Sequence, residues 1–200
     1  MARPREFDRN AALRSAMRIF WQKSYAATST DDLVAAMGIG RQSLYNAFGD
    51  KRSLYLEAIA LYMDDSGSAH LARLNGPRSP IEGIRNLLGG LIASDDNLRL
   101  LGCMGVDSIG EFGVTDSDLV SLRAKAALLL QRSIVSRVRE GQAAGDIAPD
   151  LNPDEAAGFV QVTMTGLQIA ARGGASAEEL QTIARFATDR LAADHNLCEA

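Results

Sequence analysis

Cysteine and histidine are scarce in this sequence, which has only Cys103, Cys198, His70 and His195 among its 200 residues. Two cysteines are too few for a disulfide framework, and such scattered ligands favour neither a metal site nor a cofactor. No apolar run approaches the ~20 residues of a membrane span, and the basic first residues lack the apolar segment of a secretory signal. We therefore expect a reduced, cytoplasmic protein with no metal and no cofactor.

Signatures of catalysis are also missing. The sequence contains no Ser/His/Asp set and no HExxH, Walker A or CxxC pattern. The acidic residues Asp95, Asp96, Asp116 and Asp118 fall near expected helix starts, where N-capping accounts for them. These observations argue against an enzyme.

Charge is unevenly distributed along the chain. Residues 1–63 contain nine Lys and Arg against six Asp and Glu, whereas the remainder contains twelve against nineteen. The formal net charge of the whole chain is −4. A basic segment on an acidic body indicates an anionic partner for that segment, although chance variation in surface charge is the alternative.

Apolar residues recur at the spacings of three and four that are typical of α-helices, and no segment shows the alternation of a strand. Glycine and proline separate these periodic segments. The pattern predicts an all-α fold with a small N-terminal unit and a larger helical body. After a first helix that ends near Tyr25, the predicted helices are 30–37, 41–47, 51–74, 80–93, 98–111, 117–144, 153–172 and 177–193.

The helices at 30–37 and 41–47 predict a helix-turn-helix, because a tight glycine-containing turn joins them. Ser29 and Asp32 have the spacing of a capping box, and Gly38 is expected to take a left-handed backbone. The second helix has few apolar residues to bury. Its outward face carries side-chain types that read base edges and phosphates, namely Arg41, Gln42, Ser43, Tyr45 and Asn46. A solvated surface helix is the alternative interpretation.

Residues 10–62 resemble the DNA-binding domain of the TetR family of bacterial transcriptional regulators. The residues that carry the resemblance are Ala12, Ala16, Phe20, Tyr25, Ser29, Leu33, Gly38, Ile39, Leu44, Tyr45, Phe48, Lys51 and Leu54. The resemblance implies a homodimeric repressor that binds a palindromic operator in double-stranded DNA and is released by a small-molecule inducer. It implies a three-helix DNA-binding domain at residues 1–52 and a helical ligand-binding and dimerisation domain at residues 53–200.

The resemblance also implies which residues meet DNA. Phosphate contacts are implied for Thr30, Tyr45 and Lys51. The candidates for reading bases are Arg41, Gln42 and Asn46. The predicted DNA-binding set is completed by Ser43, which suits a base or a phosphate, and by Ser29 and Gly40 at the helix starts.

Two residues of this segment differ from the common family pattern. Gly40 stands where the family often has Ser or Thr, and glycine is an adequate N-cap. Asp31 stands where many relatives have a basic or neutral residue, so it either faces a phosphate or favours the positive helix start. The basic residues of the N-terminus are candidates for an arm on the DNA, with a solvated tail as the alternative; they are Arg3, Arg5 and Arg9.

The last two helices are predicted to form the dimer, with an ordinary monomer core as the alternative. The predicted interface consists of Ala156, Val160, Leu167, Ala171, Leu180, Ala184, Ala187 and Leu191. The inducer is expected among the helices of the body. Its predicted lining, each member of which suits a core equally well, consists of Leu87, Leu88, Leu91, Cys103, Met104, Phe112, Leu122, Phe159 and Met164.

The segment around Cys103 resembles a Gly-Cys segment in a TetR subgroup that includes electrophile-responsive repressors of the NemR type. Arg99 lies near in sequence and would favour a thiolate, whereas an inert buried thiol is the alternative. Cys198 is expected to have no role. Three other functions remain open: a transcriptional activator of the same fold, an electrophile sensor acting through Cys103, and a helical interaction protein without DNA binding.

Overall fold

The computed structural model describes residues 7–193, which form ten α-helices and no β-strand. In chain order they are α1 (Arg9–Ala27), α2 (Thr30–Met37), α3 (Arg41–Phe48), α4 (Lys51–Asn75), α5 (Pro80–Gly89), α6 (Asp96–Leu100), α7 (Met104–Phe112), α8 (Ser117–Ala144), α9 (Pro153–Arg172) and α10 (Ala177–Asp189). The predicted all-α fold is confirmed. Within the same range, no helix is long and apolar enough to cross a membrane.

The chain forms two compact units. The first comprises the residues up to 65 together with 103–123, and the second comprises 66–102 together with the residues from 124 onward. Both α4 and α8 therefore contribute to both units. The compact units divide within α4, after Asp65, and not after Arg52. The predicted boundary between a DNA-binding domain at 1–52 and a ligand-binding domain at 53–200 therefore stays a prediction about function.

The core of the first unit fixes the helix-turn-helix. Phe20 of α1, Leu33 of α2 and Leu44 of α3 are almost fully buried in one apolar cluster. Burial of each such side chain is worth roughly 1.5–3 kcal/mol. The cluster also includes Met104 of α7 and Leu119 of α8, so a segment distant in sequence completes this small core.

The predicted helix at 98–111 is wrong, because the structure has two helices there. Helix α6 ends at Leu100, and α7 begins at Met104. Gly102 between them has φ of 61°, a left-handed conformation that suits glycine and interrupts a right-handed helix. Cys103 is the N-cap residue of α7, and its side chain makes no capping hydrogen bond.

The second unit has its own core, to which α5, α8, α9 and α10 contribute. All eight residues predicted for the dimer interface belong to this core and are at most 5% exposed: Ala156, Val160, Leu167, Ala171, Leu180, Ala184, Ala187 and Leu191. A side chain that is buried in its own chain has no surface left for a partner. The eight residues therefore form the core of the chain itself, which is the alternative given for them above, and they do not supply an interface.

Candidate nucleic-acid interface

The start of α2 is held by the predicted capping box. The Ser29 hydroxyl accepts from the Asp32 amide at 3.1 Å, and the Asp32 carboxylate accepts from the Ser29 amide at 2.9 Å. Lys23 of α1 donates to the same carboxylate at 2.6 Å. This lysine, together with the hydrogen bonds from Ser29, holds the pKa of Asp32 well below its usual value. The cap therefore also joins α2 to α1.

The turn between α2 and α3 has the predicted backbone. Gly38 ends α2 with φ of 65° and ψ of 28°, in the left-handed region that glycine enters without strain. Ile39 is half-buried and packs against the first core. Gly40 precedes α3 as its N-cap in an extended conformation. The turn thereby fixes the direction in which α3 leaves α2.

Helix α3 has a narrow apolar face and a broad polar one. Leu44 and Phe48 are buried. Arg41, Gln42, Tyr45 and Asn46 are exposed, and Ser43 is half-buried. The structure therefore brings together the predicted base-reading residues on the free surface of one short helix. An exposed helix of this composition suits the major groove of DNA.

The polar side chains of this surface are paired with one another. The Arg41 guanidinium donates to the Asp31 carboxylate at 2.6 Å, and this contact raises the pKa of Arg41. The Gln42 amide donates to the Asn46 side-chain oxygen at 2.9 Å. The sequence analysis did not foresee the pairing of Arg41 with Asp31. Both contacts therefore involve side chains that were predicted to read base edges.

The residues proposed for phosphate contacts lie at helix starts or on α3. Thr30 is the first residue of α2, and Lys51 is the first residue of α4. The Lys51 ammonium lies 4.3 Å from the centre of the Tyr25 ring, which is within the range of a cation–π contact. Tyr45 is exposed on α3. Helix starts present unpaired amides and partial positive charge, so they suit anions.

Arg9 is not part of a free arm. Its guanidinium donates to the Glu57 carboxylate at 2.8 Å and to the Ala47 carbonyl at 3.2 Å. The guanidinium also lies 4.3 Å from the centre of the Phe48 ring. Through these contacts Arg9 packs against Ala47 and Phe48 at the end of α3. Arg3 and Arg5, the other two arm candidates, lie outside the described residues.

The nine residues predicted to line an inducer site are divided between the two units. Leu87, Leu88, Leu91 and Met164 belong to the second core or pack against it. Met104, Phe112 and Leu122 belong to the first core or pack against it. Cys103 is half-buried in the first unit, and Phe159 is exposed in the second. The structure therefore does not gather the nine residues in one core.

The outer faces of α9 and α10 carry large apolar side chains. On α9 the exposed fractions are 43% for Phe159, 73% for Val162 and 58% for Ile169. On α10 they are 49% for Ile183 and 63% for Phe186. The buried stripe of each helix was the predicted contact face, and this second, exposed stripe was not predicted. Both stripes have helical spacing, so periodicity does not separate them.

Arg99, the cation that was predicted to favour a thiolate at Cys103, has other partners. It donates to the Ala93 and Ala175 carbonyls at 3.2 Å each and to Asp96 at 2.8 Å. Burial and the neighbouring Cys103 thiol raise the pKa of Tyr62 well above its usual value. Cys198 and His195 lie outside the described range.

Two family profiles match the chain. The profile described as "Bacterial regulatory proteins, tetR family" matches residues 12–58, and "Tetracyclin repressor-like, C-terminal domain" matches residues 80–187. Among curated relatives, the HTH-type transcriptional repressor ComR of Escherichia coli is 31% identical over 91% of this chain and 88% of its own length. The uncharacterised HTH-type regulator YezE of Bacillus subtilis is 38% identical over 54% of this chain and 56% of its own length.

Solved structures of TetR-type regulators are also similar to this chain. The regulator CifR, as a cysteine mutant complexed with a 26-base-pair operator DNA, has a TM-score of 0.81 and 32% identity, covering 95% of this chain and all of that one. The reduced form of NemR from Escherichia coli has a TM-score of 0.80 at 15% identity, covering 92% of this chain and 97% of that one. The likeness to NemR concerns the fold alone.

Proposed function

The chain belongs to the TetR family of bacterial transcriptional regulators, and we propose that it is a homodimeric repressor. It binds a palindromic operator and leaves it when a small-molecule inducer binds. Its place of action is the cytoplasm, where a bacterial operator lies. The names of ComR as a repressor and of CifR in complex with operator DNA support this proposal.

The exposed polar face of α3 carries the proposal. A helix that only needed to pack would not require Arg41, Gln42, Tyr45 and Asn46 on its free side. Arginine pairs with guanine, and glutamine or asparagine pairs with adenine, through two hydrogen bonds each. In this role Arg41, Gln42 and Asn46 read bases.

Other residues of the first unit hold the DNA backbone. Thr30, Tyr45 and Lys51 bind phosphates, Ser43 meets a base or a phosphate, and Ser29 and Gly40 position the two helices. Such contacts supply affinity but no sequence information. Asp31 tunes this interface because it holds Arg41 until DNA competes for the guanidinium.

The partner is a second copy of this chain, docked on the outer faces of α9 and α10. A single short recognition helix reads too few base pairs, and a dimer with two-fold symmetry matches a palindromic site. Val162, Ile169 and Phe186 provide the apolar centre of the interface. Pairing of these faces removes from water large apolar side chains that the second unit exposes on α9 and α10.

The first experiment identifies the DNA site and the residues that read it. The wild-type protein is used to select duplexes from a random-sequence library, and the selected duplexes should contain an inverted repeat. Arg41→Ala or Gln42→Ala should then lose discrimination at one position per half-site, worth ~1–3 kcal/mol. Lys51→Ala should weaken binding to all duplexes and lower the salt slope by about one. Arg139→Gln in α8 is the matched control for loss of one charge.

A second experiment separates the repressor from an activator of the same fold. A reporter is placed behind the selected site, and expression is measured with and without the protein. The repressor lowers expression and an activator raises it. Selection of no inverted repeat would contradict the regulator proposal, and full discrimination in both alanine variants of α3 would contradict the assigned recognition face.

A further inference from the structure

The second unit contains an open cleft between the end of α4, α5 and α10. Its volume is about 760 Å³, which is within the range of roughly 300–1,000 Å³ typical of small-molecule sites. Three arginines line it, Arg73 from α4, Arg85 from α5 and Arg185 from α10. No Asp or Glu side chain is among its lining residues in the part of the chain that the structure describes.

Among residues 7–193, two of the three guanidiniums have no carboxylate partner. Arg73 contacts the Nδ1 atom of His70 at 3.4 Å. Burial and the nearby Arg73 lower the pKa of His70 to about 4, so the imidazole is neutral and offsets no charge. Arg185 makes no hydrogen bond or ion pair with another described residue. Arg85 differs, because it pairs with Glu82 and lies 3.7 Å from Asp189.

Gly90 allows Arg73 to lie in the cleft. A Cβ atom at this glycine would lie 2.3 Å from Cδ and 2.4 Å from Nε of Arg73. Any other residue would therefore displace the arginine stem. Asn86 and Gln181 add neutral hydrogen-bonding groups to the same lining. The cleft thus combines two uncompensated cations with polar groups and a glycine that makes room for one cation.

We propose that this cleft binds a small organic molecule with two or more phosphate or carboxylate groups. Arginine recognises both anions through paired N–H donors, and Arg73 and Arg185 reach the cleft from different helices. The site is distinct from the predicted inducer residues, none of which lines it. It is also distinct from the proposed dimer surface. At roughly 100° per residue, the midpoint of Gln181 and Arg185 lies roughly 150° around α10 from the midpoint of Ile183 and Phe186.

The proposal is tested by calorimetric titration of the full chain with pyrophosphate and with citrate. We expect one site per chain for at least one of these probes. Arg185→Gln is the main variant, because the Arg185 side chain makes no described hydrogen bond or ion pair on which folding depends. It should weaken binding about tenfold or more, as loss of a charged hydrogen-bonding group does. Gly90→Ala should also weaken binding, because the added methyl group displaces the Arg73 side chain although all three arginines are retained.

A control addresses other sites for an anion. Arg139→Gln removes the same charge from an exposed position of α8 outside the cleft. This variant should bind the probe as the wild type does. Failure of both probes to bind at millimolar concentration overturns the proposal, as does equal weakening by Arg139→Gln and Arg185→Gln. The measurement uses no DNA, so its outcome is independent of the proposed repressor function.

Discussion

The Glu111 carboxylate of α7 accepts a hydrogen bond from the backbone amide of Tyr25 at 3.0 Å. Its second oxygen accepts from the amide of Ala26 at 2.5 Å. Both amides follow Ser24, whose φ of 71° interrupts the backbone of α1. Left-handed backbone is uncommon for a residue other than glycine. A side chain 85 residues away in sequence therefore binds the irregular end of α1, the helix that carries Tyr25 beside Lys51.

Replacement of Glu111 by Gln should destabilise the first unit. The variant keeps the size of the side chain but replaces one acceptor oxygen with an amide donor, which faces a backbone amide. We expect a loss of about 1–2 kcal/mol in the free energy of unfolding, as for a hydrogen bond to a charged group. Urea unfolding measures it. The exposed Glu178→Gln in α10 is the control, and equal stabilities of the two variants would show that the contact is unimportant.

Asp31→Asn should strengthen DNA binding. The change releases Arg41 from its 2.6 Å ion pair and removes a negative charge beside a surface that meets phosphates. Because the pair is exposed, its strength is modest, and we expect affinity to rise about three- to tenfold. Fluorescence anisotropy at several salt concentrations measures the change. Asp64→Asn in α4 is the control, and an unchanged or lower affinity for Asp31→Asn would mean that the pair does not compete with DNA.

Charges on the outer faces of α9 and α10 should separate the subunits without unfolding the chain. Val162→Arg and Phe186→Arg alter exposed side chains, so each chain should remain folded but sediment as a monomer with weak operator binding. Leu167→Arg instead places a charge in the core and should unfold the second unit. Val114→Arg, at another exposed apolar position, is the control. A wild-type monomer at micromolar concentration would exclude the proposed dimer.

The capping box of α2 should make stability depend on acidic pH. The pKa of Asp32 is lower in the folded chain than in the unfolded chain, chiefly because Lys23 donates to its carboxylate. Its contribution is therefore complete above the unfolded pKa of about 4 and is lost as pH falls through the lower folded value. Asp32→Asn should reduce thermal stability at neutral pH and by less at the acidic end. A constant difference across pH would exclude the carboxylate charge as the cause.

Glu179 in the capping box of α10 should depend on pH in the same direction. Hydrogen bonds from Ser176 lower its pKa, so its contribution to stability is also lost at acidic pH. Glu179→Gln is thus the matched variant in the second unit. If DNA binding depends on the capping box of α2 and not on that of α10, Glu179→Gln should show the pH-dependent stability change but leave operator affinity unaltered. Parallel measurements of unfolding and DNA affinity separate the two effects.

Treatment with an electrophile should distinguish a sensor at Cys103 from an inert thiol. Cys103 is half-buried and Arg99 is engaged elsewhere, so we expect the operator complex to survive a quinone or methylglyoxal. Cys103→Ser and Cys198→Ser should behave as the wild type does. Release of the wild type and of Cys198→Ser, with retention of Cys103→Ser, would instead establish Cys103 as the sensor.

The sequence was sufficient where structure depends on near neighbours. Ser29 and Asp32 are three residues apart, so the capping box and the start of α2 were predictable. Gly38 similarly fixed the turn, because its left-handed backbone suits glycine. The polar composition of α3 is also visible in the sequence alone. Whether its residues contact DNA stays a prediction that the proposed variants test.

Only the tertiary structure decided which face of a helix is buried. Along α9, Val160 and Leu167 form one apolar stripe and Val162 and Ile169 form another, and both have helical spacing. Packing against α5 and α10 selects the first stripe, which periodicity alone cannot do. The hydrogen bond between Glu111 and Tyr25 and the placement of Arg73 and Arg185 in one cleft arise in the same way. Both bring together residues more than 80 positions apart, and local sequence carries no signal for a proximity that only the folded chain sets.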